Sequence, residues 1–156
     1  MLLVSGFLPG ATYADLVGQK APNFSIQNLL DGQHVSLKQF QGKVVYLDFW
    51  ASWCPPCLKS FPFMEELNRK YNKRGLVVIA IGLDEKREDA MDFLSQSEAP
   101  SFVIGHNIQG DIATLYNVEA MPSTYLIGRD GKIKLRHLGF NSSDMGKLQK
   151  SIESAL

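Results

Sequence analysis

Residues 44–57 constrain the fold of this chain more than any other stretch. The first seven of them form an apolar run of aliphatic, β-branched and aromatic residues that contains a single charge. Such a run predicts a strand buried on both faces, as in a sheet covered by helices on each side. Residues 58–74 have the spacing of an amphipathic helix. Cys54 and Cys57 therefore lie at the turn from strand to helix, with Cys54 at the helix N-terminus.

The position of Cys54 favours its ionised form. A helix N-terminus carries about half a positive charge and has free N–H groups, and both stabilise a thiolate. We therefore expect the pKa of Cys54 to lie below the value of ~8.5 that a free cysteine has. The thiolate is the attacking species in disulfide exchange, and Cys57 is placed to resolve a mixed disulfide. Pro55 and Pro56 restrict the first turn and remove two N–H donors.

The two cysteines could instead form a structural disulfide or bind a metal. A disulfide across two residues closes a loop too short to restrict the unfolded chain much. Zinc needs four ligands, and the chain has no second cysteine pair and only His34, His106 and His137, all distant in sequence. A pair of cysteines between a strand and a helix favours redox chemistry. A non-enzymatic metal carrier, with Met121 as a further ligand to copper or zinc, remains an alternative.

Residues 48–57, Asp-Phe-Trp-Ala-Ser-Trp-Cys-Pro-Pro-Cys, resemble the active-site segment of the thioredoxin superfamily. The Pro-Pro dipeptide is most similar to the TlpA/ResA-like branch of thiol–disulfide oxidoreductases. This resemblance extends over about residues 17–156. It implies an α/β thioredoxin-like fold, with a central mixed sheet flanked by helices and an N-terminal β-hairpin. It also implies an enzyme that exchanges disulfides with protein thiols, takes electrons from an upstream thiol–disulfide donor and needs no cofactor beyond the Cys54–Cys57 disulfide.

Asp48 is the one charge within the apolar strand. Burial disfavours an ionised carboxylate, so we expect its pKa to be raised. A carboxyl group in that state is suited to accept a proton from Cys57 during exchange. Its position also matches the buried acid of thioredoxins, and we assign Asp48 a catalytic role beside the two cysteines.

A second group of residues is expected to bind the substrate. The resemblance implies a cis peptide bond between Met121 and Pro122, against the cysteines, which would leave the Met121 backbone free to pair with an extended substrate. It also implies that the Trp53 ring faces the substrate. Pro55 and Pro56 complete this predicted surface.

Acidic residues near the end of the next predicted strand are further candidates. Asp84 and Glu85 could line the site, since parallel strands present ligands at their carboxyl ends. We expect a solvated loop there instead, and we expect His106 to lie on a surface loop.

The rest of the chain alternates strands and helices. Asp31-Gly32 is a strong turn signal, which predicts a hairpin of strands 24–29 and 34–37. Apolar runs predict further strands at residues 76–83, 102–104, 123–127 and 132–138. Helical spacing predicts helices at residues 85–97, 108–116 and 142–156.

Composition excludes several classes of protein. Lys plus Arg and Asp plus Glu number 16 each, so no basic excess favours nucleic acid or an anionic membrane surface. No stretch is long enough to cross a membrane.

Residues 1–14 are uncharged, apolar and end in small residues, like the tail of a secretory signal. We interpret residues 1–16 as a leader and 17–156 as one monomeric domain, located in the periplasm or another extracytoplasmic space.

The expected function is that of an extracytoplasmic reductant of protein disulfides, for example in cytochrome c maturation. Residues 18–24 also resemble peroxiredoxins, which makes a peroxiredoxin-like peroxidase the second alternative. Such an enzyme needs a Pro and then a Thr at fixed positions before its reactive cysteine. Here Trp50 and Ala51 occupy those positions, which disfavours the peroxidase.

Overall fold

A computed structural model describes residues 15–156 of the chain. The predicted leader lies outside these residues, apart from its last two positions. The strands are β1 Ser25–Gln27, β2 His34–Ser36, β3 Val44–Trp50, β4 Leu76–Gly82, β5 Val103–His106, β6 Ser123–Ile127 and β7 Ile133–Leu138. The helices are α1 Pro55–Tyr71, α2 Arg87–Ser95, α3 Asp111–Leu115 and α4 Met145–Ala155.

Five strands form a mixed sheet in the order β5-β4-β3-β6-β7, and β1 and β2 form a separate antiparallel hairpin. The central strand β3 runs parallel to β4 and antiparallel to β6. All seven residues of β3 are buried. The α/β architecture predicted from the sequence is confirmed, because β3 has the doubly covered position that its apolar run requires.

Both faces of the sheet are covered by apolar side chains. On one face α1, α2 and α4 contribute core residues that include Met64, Leu94 and Ile152. On the other face the hairpin and α3 contribute Ile26 and Ile112. The alternation of side chains along β3 sends its residues to both layers in turn, which ties the two cores together.

Helix α1 begins at Pro55, directly after Cys54, as predicted from the position of the two cysteines. Proline is well tolerated in the first turn, where its missing N–H would have no helical partner. The α-helix ends at Tyr71, and a 3₁₀ turn continues to Arg74. Gly75 then takes a left-handed conformation with φ 102°, which ends the helical path and leads the chain into β4.

Two predicted elements differ from the structure. The helix predicted at residues 108–116 is shorter, because Gly110 adopts a left-handed φ of 68° just before Asp111. The strand predicted at residues 102–104 runs from Val103 to His106. His106 is therefore the last residue of β5, where it pairs with Gly82 of β4, and its prediction as a surface-loop residue was wrong.

Replacing two glycines by alanine should change stability in opposite directions, because only Gly105 lies where the hairpin packs onto β5. A Cβ atom at Gly105 would lie 2.3 Å from Cδ1 and 3.1 Å from Cβ of Ile26. We expect Gly105→Ala to lower the free energy of unfolding by about 1–3 kcal/mol through overpacking. Gly146→Ala in α4 is the matched control, since its Cβ meets nothing within 4 Å. It should stabilise the protein by about 0.5 kcal/mol, because alanine favours helix. Urea denaturation measures both, and equal effects would contradict this packing.

Candidate active site

Cys54 and Cys57 form a disulfide where β3 gives way to α1, with their Cα atoms 5.3 Å apart. Cys54 is the N-cap residue of α1, and its carbonyl oxygen accepts hydrogen bonds from the N–H groups of Cys57 and Leu58 at 3.0 and 3.3 Å. Cys54 is 4% exposed and Cys57 is fully buried. The predicted placement of the pair is confirmed, and Cys54 is the sulfur that a partner can reach more easily.

The surface next to the disulfide is largely apolar. Trp53 is 69% exposed and Leu58 is 40% exposed. Pro55 and Pro56 are also exposed, at the first two positions of α1. The Trp53 ring therefore projects toward solvent as predicted, beside the residue that carries the reactive sulfur.

The Met121–Pro122 peptide bond is cis, as the resemblance implied. It directly precedes β6, and Pro122 is buried. Met121 packs against the same core cluster that contains both cysteines. The fold thus brings the segment before β6 to that cluster, although it is far from Cys57 in the chain.

Asp48 is completely buried in β3. Its Oδ1 atom accepts a hydrogen bond of 2.7 Å from the Thr124 hydroxyl, and its Oδ2 atom has no hydrogen-bond partner among residues 15–156. Burial raises the pKa of Asp48 to about 7, and the hydrogen bond from Thr124 offsets part of that rise. The raised pKa expected from the sequence is confirmed, and it lies close to neutral pH, where a group can both accept and release a proton.

Other polar groups share the face of the sheet that carries Asp48. Thr124 pairs in register with Asp48 on one side and with His137 of β7 on the other. The Nε2 atom of His137 lies 3.2 Å from Oδ2 of Asp144 at the start of α4. Burial raises the pKa of Tyr46, and the carboxylates of Asp48 and Asp144 add to the effect. Sequence reasoning did not identify this polar cluster, because strand register is not visible in one chain.

Asp84 does not lie on a solvated loop, and that prediction was wrong: its side chain is 1% exposed. The Ser52 N–H lies 3.1 Å from each carboxylate oxygen of Asp84, and the Ser52 hydroxyl donates to Oδ1 at 2.6 Å. On the other side, His106 Nε2 donates to the Asp84 carbonyl oxygen at 2.7 Å. Glu85 is exposed, as expected. The sequence signal that could have identified Asp84 as a site residue was its position at the carboxyl end of a predicted strand.

Neither a grouped set of metal ligands nor a membrane-spanning helix occurs in residues 15–156. Within that range, no three His, Cys, Asp or Glu side chains are grouped so that they could hold a metal ion. No helix in the same range is both long and apolar enough to cross a membrane. That the protein uses no cofactor beyond its disulfide stays a prediction.

Comparison with known proteins extends these observations. The Redoxin family model matches residues 16–156. The thiol–disulfide oxidoreductase ResA of Bacillus thuringiensis subsp. konkukian (strain 97-27) is 38% identical over 117 residues, which are 75% of this chain and 66% of that protein. The chain thus spans about two thirds of the length of this relative.

Solved structures agree with the fold. A Chlorobium tepidum protein assigned as the thiol:disulfide interchange protein DsbE is 43% identical, with a TM-score of 0.83 over 87% of this chain and 94% of that one. The pneumococcal exposed lipoprotein thioredoxin Etrx1 of Streptococcus pneumoniae TIGR4 is 27% identical, with a TM-score of 0.73 over 85% and 99% of the two chains. These matches confirm the thioredoxin-like fold. The chain belongs to the Redoxin family and, within it, to the ResA-like thiol–disulfide oxidoreductases.

Proposed function

We propose that this protein reduces disulfides in protein substrates outside the cytoplasm, cycling between the Cys54–Cys57 disulfide and the dithiol. The observation that carries the proposal is the position of Cys54 at the N-cap of α1, with Cys57 one turn away. The helix N-terminus stabilises the Cys54 thiolate, and the short separation allows Cys57 to complete the exchange.

The reaction proceeds in two exchange steps. The Cys54 thiolate attacks one sulfur of a substrate disulfide, forms a mixed disulfide and releases the first substrate thiolate. Cys57 then transfers its proton to Asp48 and attacks the Cys54 sulfur, which releases the second substrate thiolate. Two electrons pass to the substrate, and the protein is left with its own disulfide. A dithiol donor upstream restores the reduced form by the same steps in reverse.

Substrate recognition is assigned to the apolar surface around the disulfide. The exposed Trp53 ring and the two prolines of α1 offer contact area, and the Met121 backbone offers hydrogen-bonding groups to an extended segment. Reading main-chain groups in this way suits many protein substrates and depends little on their sequence. We propose that the protein acts on them as a monomer.

The extracytoplasmic location is proposed on two grounds. Residues 1–14 resemble the end of a secretory signal. The similar protein from Streptococcus pneumoniae is described as an exposed lipoprotein. A reductant in such a space keeps selected thiols from oxidation, and apocytochrome thiols awaiting haem are one proposed substrate.

Trapping tests the order of the two cysteines. In Cys57→Ala, the mixed disulfide with a protein substrate such as oxidised insulin should accumulate, because no second thiol resolves it. Non-reducing electrophoresis and mass spectrometry detect the adduct. Cys54→Ala is the matched control and should form far less of it. Equal trapping by both variants would contradict the assigned roles, and consumption of hydrogen peroxide in place of insulin disulfides would favour the peroxidase.

The pKa of Asp48 predicts the pH dependence of the second step. With the pKa of Asp48 at about 7, resolution of the mixed disulfide should accelerate as pH rises through neutrality, since only the carboxylate accepts the proton. Asp48→Asn should abolish this inflection and slow resolution at pH 7 by about 100-fold. Thr124→Val removes the hydrogen bond that lowers the pKa and should move the inflection to higher pH. Rapid-quench kinetics measure the rate, and an unchanged profile in Asp48→Asn would exclude the role.

The raised pKa of Asp48 also predicts a pH-dependent difference in stability between the wild-type protein and Asp48→Asn. The folded state holds the Asp48 proton up to about pH 7, against an ordinary value of 3.8. The burial of Asp48 therefore costs no stability below about pH 4, and its destabilising effect grows between about pH 4 and pH 7 and stays constant above the folded pKa. At pH 8, Asp48→Asn should raise the free energy of unfolding of the oxidised protein by up to about 4 kcal/mol. At pH 4 it should have little effect. A pH-independent difference in denaturant titrations would contradict this.

A further inference from the structure

Asp84 is a buried carboxylate for which the exchange steps above have no use. One residue, Leu83, separates it from β4, and at the same edge of the sheet the Leu83 N–H donates to the Trp50 carbonyl oxygen at 2.8 Å. Both hydrogen-bond donors of Ser52, its N–H and its hydroxyl, are directed at the Asp84 carboxylate. A carboxylate that is 1% exposed and holds a turn in this way is an anchor for that turn.

The anchored turn carries the reactive cysteine. Ser52 is followed by Trp53 and Cys54, and the Cys54 N–H donates to the Ala51 carbonyl oxygen at 3.2 Å. Two residues of chain span at most about 7 Å. Since the carboxylate lies 3.1 Å from the Ser52 nitrogen, it lies within roughly 10 Å of the Cys54 backbone nitrogen. The Cys54 sulfur is three bonds from that nitrogen, so in this largely buried setting a negative charge on the sulfur and one on Asp84 lie close enough to repel each other appreciably.

We propose that Asp84 is a positioning residue that holds the turn of Trp53 and Cys54 and whose negative charge disfavours the Cys54 thiolate. The helix N-terminus stabilises this thiolate, and Asp84 opposes it. Because a destabilised thiolate weakens the reduced form, the couple is shifted toward the disulfide and the protein becomes a stronger electron donor. This inference rests on the proposed function only in taking Cys54 as the attacking thiol, and it gives the reducing direction a structural cause.

Other titratable groups at this end of the sheet do not supply the same effect. The Asp48 carboxyl group accepts its hydrogen bond from Thr124 of β6, whereas the Ser52 hydroxyl of the turn donates to Asp84. The His106 ring donates to the carbonyl oxygen of Asp84 and adds to its anchoring. Glu85 carries the same charge next along the chain, but it is exposed to solvent that screens it. Asp84 is therefore the carboxylate whose removal should alter Cys54.

Asp84→Asn tests the charge directly. An amide oxygen still accepts from both Ser52 groups, so the turn keeps its anchor while the charge is lost. We expect the pKa of Cys54, followed by thiolate absorbance of the reduced protein, to fall by about one unit. The equilibrium constant with a reference dithiol should shift about tenfold toward reduced protein, equivalent to about 30 mV.

Two further variants separate charge from anchoring. Glu85→Gln removes the neighbouring exposed charge and should shift the pKa of Cys54 by less than about 0.3 units. Ser52→Ala keeps the Asp84 charge and removes one donor, so it should lack the downward shift. If Asp84→Asn does not fold, Asp84→Ser, which also lacks the charge, takes its place.

Each outcome of these measurements either supports or overturns the inference. The inference is supported if the Cys54 pKa falls and the equilibrium shifts toward reduced protein in Asp84→Asn, while neither changes in Glu85→Gln. Unchanged values, or equal shifts in the Asp84 and Glu85 variants, overturn it. The proposed function fails separately, if the wild-type protein exchanges no disulfides with protein substrates while the Cys54 pKa still responds to Asp84.

Discussion

The structure depends on β3 being buried on both faces. Its seven residues contribute in turn to the two apolar layers of the protein, so the strand is fixed from above and below. Its end is fixed as well, and the helix that starts there must place Cys54 at its N-cap. A sulfur at the end of a rigid strand and at the start of a helix is both held in position and favoured as a thiolate.

The same burial explains why a charge is kept within β3. Leaving Asp48 in an apolar layer weakens the fold at neutral and higher pH, because the carboxylate loses its hydration and gains only the Thr124 hydroxyl. Such a cost is typical of sites where stability is given up for chemistry. The polar cluster around it, with Tyr46, His137 and Asp144, sits in a layer that is otherwise apolar.

In the proposed scheme, Asp48 acts on Cys57 and Asp84 acts on Cys54. Asp48 is titratable near neutral pH and belongs to the proton transfer at Cys57, whereas Asp84 is bound to the turn before Cys54 and belongs to its electrostatics. Both are buried, and each is held by a hydroxyl donor from a different element. The sheet supplies both positions: Asp48 lies within its central strand, and Asp84 lies just beyond the carboxyl end of the neighbouring strand.

Much of this protein is determined by local sequence. An apolar run with one charge, a Cys-Pro-Pro-Cys segment and helical spacing after it were enough to predict the central strand, the helix, the position of the cysteine pair and the raised pKa of Asp48. These properties depend on neighbours in the chain or on burial of a whole segment. The partners of Asp48 and Asp84 were not predictable, because Thr124 reaches Asp48 through strand register and Ser52 reaches Asp84 across 32 residues of chain. Asp84 was predicted to lie on a solvated loop, and only the meeting of strand ends in the folded sheet buried it and gave it a hydrogen-bond partner.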